Sequence, residues 1–172
     1  MRKIFGVIVF LLLLTNCFGN KTQTTGAYKA YDFTFKDLSG TVHKLSDFRG
    51  KVVIVQFFGT YCPPCREEMY ALEDIHKRFK DRVVVIGLSV DYVGRDISGL
   101  KEFAKQMGVS YLVGVASQRA WEEYAYKITG LDTIPQTFII DKNGLLRFYE
   151  TGYRPSYAGL IEKAVSKLLG EG

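Results

Sequence analysis

Histidine and tryptophan are nearly absent from this sequence: His43, His76 and Trp121 are all there is, beside three cysteines in 172 residues. A structural zinc site takes about four nitrogen or sulfur ligands. One close cysteine pair and two distant histidines do not supply them, so no metal is expected. Charge of one sign is also scarce. The formal net charge is +5, or +3 once Arg2 and Lys3 are set aside. No arginine-rich run or basic helix accompanies it, which leaves no case for nucleic acid as a partner. Long apolar runs are missing as well. Ile4 to Leu14 is the longest, and as a helix it would reach about 16 Å against a hydrocarbon core of roughly 30 Å. Internal repeats and a second domain boundary are likewise not seen.

What the first residues do offer is a basic start, Arg2-Lys3, and a short apolar stretch, which together read as a secretory signal. Leu14-Thr15-Asn16-Cys17 then resembles a bacterial lipoprotein signal box, departing from it at Asn16, where a small residue is usual. That resemblance implies removal of residues 1–16 and lipidation of Cys17, with two or three acyl chains giving a stable anchor to a bacterial membrane on its extracytoplasmic side. The alternative is an ordinary signal peptide with an incidental cysteine. Gly19 to Lys29 is polar and has little to bury, so residues 17–30 are expected to be a lipidated N-terminus and flexible tether. Residues 31–172 would then form one domain, and 47% hydrophobic and 14% aromatic content over the whole chain is enough for a sizeable core.

The domain is organised around Lys51 to Glu68. Val52 to Phe58 is apolar and β-branched except at Gln56, as in a strand buried on both faces. After Gly59-Thr60, Cys62-Pro63-Pro64-Cys65 opens a helical segment whose apolar face is Tyr61, Cys65, Met69, Leu72, Ile75 and Phe79. A cysteine at a helix mouth meets unpaired backbone N–H groups and the positive end of the macrodipole, which favour the reactive thiolate. Cys62 is therefore the candidate attacking thiol. Cys65, one turn on, can attack a mixed disulfide formed at Cys62. Pro63 and Pro64 stiffen that active-site turn.

Periodicity places the remaining elements. Asp32 to Lys44 reads as a hairpin around Ser39-Gly40, and Leu45 to Gly50 as a helical turn. Arg82 to Val90 reads as a second buried strand and Asp91 to Gly99 as a loop. Leu100 to Met107 and Ala120 to Ile128 are helices on either side of a short extended piece, Tyr111 to Val115. Thr137 to Ile140 and Leu145 to Thr151 flank the turn Asp141-Lys142-Asn143-Gly144. Tyr157 to Leu169 closes the chain as an amphipathic helix.

Phe57-Phe58-Gly59-Thr60-Tyr61-Cys62-Pro63-Pro64-Cys65-Arg66-Glu67-Glu68-Met69 resembles the active-site signature of the TlpA/ResA-like branch of the thioredoxin superfamily. Asp32 to Gly40, Leu45 to Lys51 and Ile134-Pro135-Gln136-Thr137-Phe138 extend the resemblance from about Tyr31 to Leu169. It implies an α/β thioredoxin-like fold: a mixed central sheet flanked by helices, with an N-terminal hairpin and a helical insertion over Leu100 to Ile128. It implies a thiol–disulfide oxidoreductase without cofactor, acting on protein thiols and disulfides and re-reduced by a membrane electron donor. Cytochrome c maturation is a role relatives serve, and a monomer is expected. It further implies that Pro135 follows a cis bond and that Ile134 and Pro135 form the floor of a substrate groove. Gln56 stands where thioredoxin has a buried carboxylate, so Asp91 is the candidate proton relay to Cys65, against a reading as a solvated strand end. Two other classes share the fold. A thiol peroxidase would want Thr or Ser where Gly59 stands, and a copper chaperone would want three residues between its cysteines and a distal His.

Overall fold

The computed structural model describes residues 23–170. The signal segment, Cys17 and the first part of the expected tether lie outside the described residues. The chain runs β1 (Gln23–Lys29), β2 (Thr34–Lys36), β3 (Val42–Lys44), β4 (Val52–Phe58), α1 (Pro63–Phe79) and β5 (Val83–Ser89). It continues with α2 (Ser98–Met107), β6 (Leu112–Val115), α3 (Gln118–Trp121), β7 (Gln136–Ile140), β8 (Leu145–Thr151) and α4 (Pro155–Leu169). Six strands form one mixed sheet in the order β1-β8-β7-β4-β5-β6, and β2 and β3 pair as a separate hairpin.

β4 is central because nothing along it needs water: all seven residues are buried. It pairs parallel with β5 and antiparallel with β7. Its side chains alternate between two cores. Val52, Ile54 and Phe58 face α1, α2 and α4, meeting Met69, Leu72, Leu100, Phe103, Ile161 and Val165. Val53, Val55 and Phe57 face the other layer, where Phe33, Phe35, Leu45, Ala120, Tyr124 and Phe138 pack. Gln56 shares the α1 side of the strand by the same alternation, a placement that matters for the site below.

Three sequence expectations are corrected. Gln23–Lys29, expected within the tether, is an edge strand antiparallel to β8, with Gln23 opposite Tyr149 and Lys29 opposite Leu145. Ladder hydrogen bonds to a neighbour hold a polar strand that its own composition does not announce. Tyr111 to Val115 is extended as expected, forming β6 parallel to β5. The helix expected over Ala120 to Ile128, however, changes pitch: α3 passes directly into a π-helical segment, Glu122–Thr129, ended by Gly130 in the left-handed conformation. Tyr61 is not on the buried face of α1. It precedes the helix and is 69% exposed.

Candidate active site

β4 delivers the chain to the sheet's end, and Gly59 to Tyr61 turn it into α1. A Cβ on Gly59 would lie 2.7 Å from Ile134 Cδ1 and 2.9 Å from the Tyr61 ring, so any side chain there would displace both of these residues. The turn is held from both sides. Arg66 donates twice to the Thr60 carbonyl (Nε 3.1 Å, Nη2 2.6 Å). Asp91 accepts from the Thr60 amide (3.2 Å to Oδ2), the Thr60 hydroxyl (2.6 Å) and the Ser89 hydroxyl (2.7 Å). Asp91 thus sits at the end of β5 as a clamp on the active-site loop.

Cys62 and Cys65 are joined by a disulfide, with Cα atoms 5.3 Å apart. Cys62 is the N-cap of α1, and its sulfur accepts from the Cys65 amide at 3.3 Å. Pro63 and Pro64 occupy the first two helical positions, so two of the donors that a helix normally turns toward an anion are missing. Cys62 retains 6% exposure while Cys65 has none. Only the first sulfur has a path to a partner.

The Ile134–Pro135 bond is cis. The Ile134 carbonyl lies 4.0 Å from the Cys62 sulfur, which brings the distant Ile134-Pro135 segment and the cysteine pair together as the sequence led one to expect.

Beneath the disulfide lies a carboxyl that sequence reasoning passed over. Glu68 is 1% exposed. Its Oε1 accepts from the Thr137 hydroxyl at 2.7 Å and its Oε2 from Gln56 Nε2 at 2.7 Å. The same Gln56 nitrogen reaches the Cys65 carbonyl at 3.3 Å. Burial pushes the Glu68 carboxyl up to about 7, against the downward pull of the Thr137 and Gln56 hydrogen bonds and with a further push from Glu150. The signal was present: Glu68 stands three residues beyond Cys65 and four before Leu72, an acid on the apolar face of α1. Gln56 does not titrate, but it binds the group that does.

His43 and His76 are half-buried. His43 stacks between Phe35 and Phe48 and bonds to Asp37 at 2.9 Å. Among the described residues, no three His, Cys, Asp or Glu side chains converge as a metal site.

A two-cysteine redox centre at the mouth of α1, facing a cis-proline loop on this sheet, defines a thiol–disulfide oxidoreductase of the thioredoxin fold. The chain belongs to the AhpC/TSA family, which its residues 27–149 match, and within the thioredoxin superfamily it is ResA-like. It is 32% identical over 159 residues to the thiol-disulfide oxidoreductase ResA of Geobacillus thermodenitrificans, covering 88% of each chain. The Geobacillus kaustophilus ResA is 34% identical over 159 residues with the same coverage. A thiol:disulfide interchange protein of the thioredoxin family from Chlorobium tepidum superposes with a TM-score of 0.73 at 25% identity, covering 86% of this chain and all of that one.

Proposed function

We propose that this chain is a membrane-tethered reductase acting outside the cytoplasm, with Cys62 attacking protein disulfides and Cys65 resolving them. The observation that carries this is the pairing of a reachable Cys62 sulfur with a sealed Cys65 at a helix mouth stripped of two N–H donors by Pro63 and Pro64. A thiolate given less stabilisation leaves the disulfide form favoured, so the dithiol is a stronger reductant. The Cys62 thiolate attacks one substrate sulfur, the substrate S–S bond breaks, and the departing thiolate takes up a proton. Cys65 then loses its proton, attacks Cys62 and frees the second substrate sulfur. Two electrons pass to the substrate, and a membrane electron donor must restore the dithiol. We assign the proton relay to the buried Glu68 rather than to Asp91, whose oxygens already hold Thr60 and Ser89. Cytochrome c maturation is the setting that the family resemblance favours. The reduction potential of the Cys62–Cys65 couple, measured against glutathione, is expected at or below the thioredoxin value of about −270 mV. A value near that of strong oxidants, about −120 mV, would reverse the assigned direction.

A peroxidase reading draws support from the family match, but Arg66 is engaged with the Thr60 carbonyl and Gly59 offers no hydroxyl. Hydrogen peroxide consumption at the rate of disulfide reduction would favour it instead.

The tether rests on Cys17. Among the described residues no helix is long and apolar enough to cross a membrane; the attachment we assign is a lipid at Cys17, on the strength of the lipoprotein-like Leu14-Thr15-Asn16-Cys17 box. Cys17→Ser is expected to move the protein from the membrane to the soluble fraction, or to leave it unprocessed. Unchanged fractionation, with no lipid on the N-terminal peptide, would refute the anchor.

A further inference from the structure

Large apolar side chains left in water are concentrated in one place on this molecule. Among the described residues seven are exposed, and Tyr61 (69%), Val93 (49%) and Tyr126 (49%) all line a single groove of about 310 Å³, while Leu131 (45%) immediately precedes another lining residue, Asp132. Scattered apolar residues on a surface need no explanation, whereas a cluster around a concavity marks an interaction site. The half-buried Trp121 and Ile134 line the groove as well. Asp132, at its rim, is the sole charged residue among those lining it.

The wall of this groove is built by the π-helical segment. Trp121 and Tyr126 are five residues apart. On an α-helix they would stand about 140° around the axis from each other. Hydrogen bonds from i to i+5 bring such residues onto nearly one face. In Glu122–Thr129 this change of pitch leaves Tyr124 and Ala125 fully buried while Tyr126 turns outward beside Trp121. The two rings meet edge to face at 6.2 Å, and Trp121 meets the core ring of Phe57 at 5.4 Å. An aromatic ladder therefore runs from Phe57, near the end of β4, to the surface. π segments are rare and gather at functional sites.

The groove adjoins the redox centre through two of its lining residues. Tyr61 is the residue before Cys62, and Ile134 carries the carbonyl 4.0 Å from the Cys62 sulfur. A polypeptide joined covalently to Cys62 is thereby brought next to Tyr61 and Ile134, two residues of the groove lining. We infer that this groove is a specificity subsite for the substrate polypeptide. It receives an aromatic or long aliphatic side chain next to the substrate cysteine and disfavours an acidic one because of Asp132. The inference rests on the proposed role of Cys62 as the attacking thiol.

In the full chain carrying Cys17→Ala and Cys65→Ser, Cys62 is the one remaining thiol. It can be offered short peptides whose single cysteine is capped with 5-thio-2-nitrobenzoate and whose flanking residues are Phe, Ser or Glu. Attack forms the Cys62–peptide disulfide, breaks the capping S–S bond and releases thionitrobenzoate, the better leaving group, which is read by its absorbance. The Phe peptide is expected to react roughly 10-fold faster than the Ser peptide, as partial burial of one such side chain provides, and the Glu peptide more slowly than either. In the same background Tyr126→Ala should lower the Phe-to-Ser ratio to about 2. Val93→Asp, at a second half-exposed position, should lower it too. Tyr70→Ala, exposed on α1 and outside the groove, should leave the ratio unchanged. Equal rates for the Phe and Ser peptides at a reactive Cys62 would overturn the subsite. Faster release by the chain carrying Cys17→Ala and Cys62→Ser would instead overturn the attacking order on which the subsite rests.

Discussion

Cys65→Ser is expected to turn the protein into a trap that accumulates mixed disulfides with its substrates, whereas Cys62→Ser accumulates few. The asymmetry follows from burial and position. The Cys62 sulfur caps α1 at the protein surface, and Cys65 is wholly enclosed beneath it. In the native pair the resolving thiol is held one helical turn from the bond it must break. Well-oriented intramolecular attack is worth effective molarities of about 10⁵ M or more, which no dissolved thiol replaces. Turnover on protein disulfides should therefore fall by at least about 10³-fold in both variants, for opposite reasons. One cannot finish the reaction and the other cannot begin it. Non-reducing gels and mass spectrometry of the captured species distinguish the two cases. Equal trapping by both variants would contradict the assigned order.

What the sequence made legible was whatever local chemistry determines. The β-branched run around Gln56 became β4 and the Pro-Pro turn became the start of α1, while the cis Ile134–Pro135 junction beside Cys62 was legible only through the family resemblance. The misses are those in which a partner distant in sequence decides. β1 is a strand only because β8 offers its edge. The π segment keeps the apolar spacing of an ordinary helix in outline, and its altered hydrogen-bond register, which sets Tyr126 beside Trp121, leaves no mark on composition. Gln56 read as the loss of a titratable group. In space the acid has moved from the strand to the facing helix, and Gln56 became its hydrogen-bond donor. Asp91 stood out because it ends a buried strand, yet its oxygens hold the loop. A polar residue within an apolar stripe is a better pointer to a buried relay than one at a strand's end, because only the former is forced into the core by its neighbours.

Glu68→Gln is expected to remove a pH dependence of stability that the wild-type protein shows between about pH 4.5 and 7. The folded carboxyl titrates at about 7, raised from an ordinary 4.5 chiefly by burial. Below pH 4.5 both folded and unfolded chains hold the proton, and the full contribution of the neutral group is present. As pH rises from 4.5 to 7 the unfolded chain ionises first and binds fewer protons, so stability falls with pH. Above 7 both are ionised and the loss is complete, at about 3 kcal/mol for a shift of this size. Against a total of about 5–15 kcal/mol for a domain, that is a large share. Asp37 titrates outside this window: hydrogen bonds from Ser39 and His43 overcome the upward push of burial and hold it at about 2. Urea denaturation of wild type and Glu68→Gln at closely spaced pH values should give a difference curve that moves by about 3 kcal/mol across the window, with wild type losing ground as pH rises. The variant should also resolve mixed disulfides more slowly above pH 7, where an ionised Glu68 would otherwise take the Cys65 proton. A difference curve that stays flat from pH 4.5 to 8 would show that Glu68 does not hold its proton in the folded protein, and the proton relay would have to be sought elsewhere.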